Sequence, residues 1–103
     1  MGINAVWKDE QGGELGRVDD PMMVLSRFTD TTYNLSKTAC IRFLDPAGDA
    51  CFNQLQLPVL AKEFRATASS DVAPAVLEHI QSLLELIERA TNQTHSYLWF
   101  IGD

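Results

Sequence analysis

The chain has 103 residues, enough for one domain with a modest core and too few for two. Apolar residues make up 46% and charged residues 21%, proportions that exclude a disordered or fibrous class. Fourteen acidic against eight basic residues give a net charge of -6, with the basic residues scattered singly, which argues against binding to nucleic acid or to an anionic membrane surface.

Ile3 to Lys8 alternates as a strand, with Ile3, Ala5 and Trp7 on one face and Asn4, Val6 and Lys8 on the other. A turn at Glu10 to Gly13 returns the chain through a second strand, Glu14 to Val18. Asp19-Asp20-Pro21 places a capping aspartate before a proline at the first helical position, so a short helix is expected from Pro21 to about Phe28, with Met22, Leu25 and Phe28 as its stripe. After a polar loop at Asp30 to Asn34, the alternation of SKTACIRFL predicts a strand over Ser36 to Leu44. A tight turn at Asp45 to Asp49 then makes a second hairpin, returning through Ala50 to Asn53.

Pro58 opens a helix reaching about Ala68, with Leu60, Ala61 and Phe64 inward. The longest helix runs from Asp71 or Val72 to Ala90, with Val76, Leu77, Ile80, Leu83, Leu84 and Ile87 as its apolar face and Leu86 outside that stripe, exposed. The chain ends in SYLWFI, apolar on both alternating faces, as expected of a strand covered on both sides or flanked by neighbours in mid-sheet. The expected fold class is therefore α+β, a single domain over residues 1–103 in the order ββα-ββαα-β, with a mixed or antiparallel sheet and helices mainly on one face. The D-x-x-G tips, Asp9 to Gly12 and Asp45 to Gly48, make a weak internal echo that is too short to define a repeat.

The start of the chain carries neither the basic nor the apolar region of a secretory signal, and no apolar run approaches bilayer length, so a cytoplasmic location is expected. The spacings of Cys40, Cys51, His79 and His95 match no zinc site, and no cofactor is implied. A hairpin closed about Ala47 sets Cys51 opposite Phe43 and Cys40 opposite Gln54, which turns the two sulfurs to different faces and predicts buried free thiols. His79 falls on the polar side of the long helix between Glu78 and Glu85. A calcium loop beginning at Asp45 fails, with Ala47, Ala50 and Gln56 at its third, sixth and twelfth positions.

Two functional readings follow. In the first, Asp9, Glu10 and Glu14 at one hairpin tip and Asp45 and Asp49 at the other form a shared acidic rim, and the chain is a non-catalytic protein-binding module. Its most concrete version is an inhibitor or immunity-type protein covering a basic enzyme. In the second, the chain is a small enzyme or ligand-binding domain whose pocket between sheet and helices is lined by Tyr33, Arg42, His95, Tyr97 and Trp99. Leu86 and the apolar last strand add an oligomeric scaffold or homodimer as a further expectation.

Overall fold

Alternating apolar residues in the first and last strands build the sheet on which the rest of the chain packs. The computed structural model describes residues 2–25, 38–68 and 73–102. Strands β1 (Ile3–Asp9), β2 (Glu14–Val18), β3 (Asp49–Phe52) and β4 (Ser96–Gly102) form an antiparallel sheet in the order β2-β1-β4-β3. Helices α1 (Leu57–Ala68) and α2 (Pro74–Thr91) complete an α+β domain.

Register decides which residues share a face, because directly opposed side chains in an antiparallel pair point the same way. Ala5 opposes Phe100, Trp7 opposes Leu98 and Phe52 opposes Leu98, so Ile3, Ala5, Trp7, Phe52, Leu98 and Phe100 form the face beneath the helices. Leu57, Leu60, Ala61 and Phe64 of α1 and Ile80, Leu83, Leu86, Ile87 and Ala90 of α2 close the core over it. Phe100 sits at its centre, edge-on to Phe52 at 5.8 Å and tilted against Phe64 at 6.4 Å. Of the two settings expected for the last strand, the mid-sheet one is observed: β4 pairs with β1 on one side and β3 on the other.

Three local expectations change. The segment expected as a strand over Ser36 to Leu44 is, in its described part, a turn leading into a 3-10 helix at Ile41–Phe43. Its buried residues, Cys40, Ile41 and Leu44, follow helical spacing, while Phe43 is turned outward under the Arg42 guanidinium at 5.8 Å. The backbone donors a ladder would have used go instead to the Glu63 carboxylate of α1, which accepts the N–H groups of Ala39 (2.6 Å), Cys40 (3.1 Å) and Ile41 (3.0 Å). Among the described residues there is thus no second hairpin: β3 pairs with β4, and Cys51 opposes Trp99 rather than Phe43.

The helix expected from Pro21 begins later. Pro21 and Met22 form a turn closed by the Met23 N–H donating to the Asp20 carbonyl (3.1 Å), Met23 takes φ of 56°, and helical backbone starts at Val24. Phe28 lies outside the described residues, as do Asp71 and Val72, the expected first residues of the long helix. The third change is on α2: Leu86 is buried and Leu77 is 36% exposed, the reverse of their expected places. The cause is β2, which packs alongside α2. Gly16 makes room there, since a Cβ at that position would come within 3.0 Å of Leu86 Cδ1.

Asn53 and Gln56 start α1 by a reciprocal cap: Asn53 Oδ1 accepts the Gln56 N–H (3.0 Å), and Gln56 Oε1 accepts the Asn53 N–H (2.9 Å). The turn before β3 closes against the end of β4 through the Gly102 N–H donating to the Gly48 carbonyl (2.8 Å). Glycine is required at 102, because a Cβ there would collide with the Asp45 carbonyl.

Candidate functional site

The acidic residues expected to form one rim stand in two places. Asp9 pairs with Ser96 at one end of β4, whereas Asp49 pairs with Ile101 at the other, so the two acidic turns lie at opposite ends of the sheet. The shared rim is therefore corrected to two separate groups. At the first tip, Asp9 Oδ1 accepts the N–H groups of Gln11 (3.0 Å) and Gly13 (2.8 Å) and shapes the turn. Glu10 lies 3.5 Å from His95, and Glu14 bonds Arg17 at 3.0 Å. At the second, Asp45 Oδ1 accepts the Ala47 N–H (2.9 Å), the same local chemistry as at Asp9, and Asp49 opens β3, exposed.

The residues expected to line a pocket divide as well. Tyr33 lies outside the described residues. His95 and Tyr97 share a shallow cleft with Gln54, Thr94 and Ser96, while Trp99 and Arg42 lie outside that cleft's lining. Arg42 projects from the 3-10 helix, and Trp99 sits on the sheet with the Lys8 ammonium 5.6 Å over its ring.

The helices leave the second face of the sheet to other contacts. On it stand Asn4, Val6 and Lys8 of β1, Tyr97, Trp99 and Ile101 of β4, Cys51 and Asp49 of β3, and Arg17 of β2, as the pairings Val6–Trp99, Lys8–Tyr97, Asn4–Ile101 and Val6–Arg17 require. Tyr97 is 38% exposed, Cys51 is exposed, and Trp99 and Ile101 are half-buried. Val6, at 3% exposure, is buried and stands apart from the core cluster under the helices. The centre of this face is aromatic and aliphatic, and its charges stand around that centre. Arg17, at the edge, hydrogen-bonds Asp19 (2.9 Å) and Glu14, and these carboxylates hold its pKa above the usual guanidinium value.

A third location was hidden by residue order. Asp20 is fully buried, and its carboxylate accepts three backbone N–H groups, from Val24 (2.7 Å), Leu25 (3.1 Å) and Ile3 (3.2 Å). It joins the helical start at Val24 to the first residue of β1. His79 of α2, expected on the polar face, instead turns its ring inward to 12% exposure, with Nε2 3.7 Å from Asp20 Oδ1 and without a hydrogen-bond partner. Beside it opens a cleft of about 350 Å³ between α2 and the chain leaving β2. The capping signal of Asp20 was legible in the sequence; its burial and its approach to His79 depend on contacts across 59 positions and had no sequence signal.

Both cysteines are free, as expected, but only Cys40 is buried; Cys51 is exposed because β3 is an edge strand facing outward at that position. Loss of solvation pushes both thiols up from their ordinary value, and the Glu63 carboxylate adds to the effect at Cys40. Among the described residues no group of three or more His, Cys, Asp or Glu is placed to hold a metal ion, and no helix is long and apolar enough to cross a membrane. Neither a family model, nor a curated protein, nor a solved structure matches the chain.

Proposed function

We propose that the chain is a non-catalytic protein-binding module that meets its partner through the second face of the sheet. The observation that carries this reading is the group of Tyr97, Trp99 and Ile101 on the face away from the helices, with charged residues beside them. Large aromatic groups at a centre and charges at a rim are the arrangement from which protein interfaces draw most of their affinity. The net charge of -6 favours a basic partner and speeds its encounter. The acids at the two ends of the sheet, Asp9, Glu10 and Glu14 at one and Asp45 and Asp49 at the other, contribute to that field. An inhibitor or immunity-type protein that covers a basic enzyme in the cytoplasm is the most concrete form of this proposal.

The test is capture from native extract by the tagged chain, in parallel with the Tyr97→Ala/Trp99→Ala variant. The expected result is a basic protein recovered in near-stoichiometric amount by the parent and lost with the variant, whose melting temperature stays within a few degrees of the parent's. Equal recovery by both chains, or recovery of no basic protein, sinks the reading. Light scattering on the purified chain distinguishes a second copy as the occupant of this face.

A second reading, a ligand-binding or catalytic domain, is favoured by the shared cleft of His95 and Tyr97. Thermal-shift screening of small molecules checks it: the reading requires a ligand whose stabilisation disappears in His95→Ala.

A further inference from the structure

We infer that the cleft beside His79 is a docking site for one basic side chain, arginine or lysine, of a polypeptide partner. The inference rests on the protein-binding reading and places a second, separate contact on the molecule. The cleft holds about 350 Å³ between α2 and the segment that follows β2. Val18, Pro21, Val24 and Ala75 give it apolar walls suited to the methylene stem of a long side chain. Met22, 67% exposed at the edge of the same cleft, supplies an adaptable surface against which such a stem can lie.

The charges at the cleft select the head group. Asp19 and Glu78 are both lining residues and both exposed, and Asp20 adds a buried carboxylate behind His79. Asp19 is itself bonded to Arg17, a cation of the neighbouring strand. Three carboxylates against one guanidinium leave the cleft acidic. An apolar slot with an acidic mouth complements a side chain that carries a cation on an aliphatic stem, and it disfavours an anion or a purely apolar side chain. His79 forms part of the wall, its buried Nε2 held 3.7 Å from Asp20 and not used by any other group.

The measurement is a titration of the full chain, followed through backbone amide chemical shifts, with two acetylated and amidated tripeptides, Gly-Arg-Gly and Gly-norleucine-Gly. The arginine peptide is expected to shift Val18, Val24, His79 and Ser82 saturably and to leave Trp99 and Ile101 unmoved. The norleucine peptide should bind several-fold more weakly. Glu78→Gln removes one exposed charge without touching the core and should weaken the arginine peptide about two- to fivefold. Equal binding of both peptides, insensitivity to Glu78→Gln, or shifts confined to the second sheet face overturns the inference. Capture that depends on Tyr97 and Trp99 can survive each of those outcomes, so failure here is distinguishable from failure of the protein-binding reading.

Discussion

Two carboxylates gather backbone donors at the first residues of secondary-structure elements and in the turn that precedes the 3-10 helix. Asp20 gathers the N–H groups of Ile3, Val24 and Leu25, and Glu63 gathers those of Ala39, Cys40 and Ile41. Each takes the place of water for donors that secondary structure leaves unpaired. Asp20→Asn preserves shape but replaces one accepting oxygen with an amide that donates, so at least one buried N–H loses its partner; the expected cost is about 2–3 kcal/mol, read from the urea unfolding midpoint. The cysteines lead to a pH prediction. A thiol whose folded pKa is raised above its unfolded value favours the folded state below the unfolded value, and that contribution fades as pH rises through the folded one. With both thiols raised, the native chain should react slowly with iodoacetamide at pH 8, with Cys51 modified before buried Cys40, and it should lose some stability only in the alkaline range beyond the ordinary thiol pKa. Modification of both cysteines at the rate of a free peptide thiol at pH 8 would contradict this.

At the scale of elements, the helices are where local pattern and tertiary contact can be separated. The inward set of α1, Leu60, Ala61 and Phe64, is as the 3.6-residue period predicts, whereas its reciprocal cap between Asn53 and Gln56 emerges only in the structure, upstream of the expected start at Pro58. On α2 the period alone misassigns Leu77 and Leu86, because a stripe more than 100° wide leaves its borders open until neighbours are known. β2, which approaches α2 at Gly16, draws the covered face toward Leu86. Leu86→Ala should therefore cost about 2–4 kcal/mol, and Leu77→Ala well under 1 kcal/mol, in matched denaturant melts. The segment around Ile41 shows the opposite failure. Its alternation is real, but the N–H groups of Ala39, Cys40 and Ile41 that a strand would offer to a ladder are taken by the Glu63 carboxylate of α1, and the segment folds as a 3-10 turn.

At the scale of the whole molecule, β4 is the element on which the sheet depends. Among the described strands it alone joins β1 to β3, and it contributes Leu98 and Phe100 to the core, so a chain ending at residue 95 should lose cooperative unfolding and near-ultraviolet circular dichroism altogether. The acidic turns behave differently. Asp49→Lys should leave the melting temperature nearly unchanged, whereas Asp45→Lys, which removes the acceptor of the Ala47 N–H, should cost about 1 kcal/mol in the same assay. The α+β class, the first hairpin, both long helices and the terminal strand followed from the sequence by itself, since each rests on periodicity, capping or turn chemistry within a few neighbouring residues. The strand order, the separation of the two acidic turns, the burial of His79 against Asp20 and the outward face of Tyr97, Trp99 and Ile101 were decided only by tertiary structure. Each depends on which distant segments pair, and the free energy of that choice is spread over contacts that no local stretch of sequence contains.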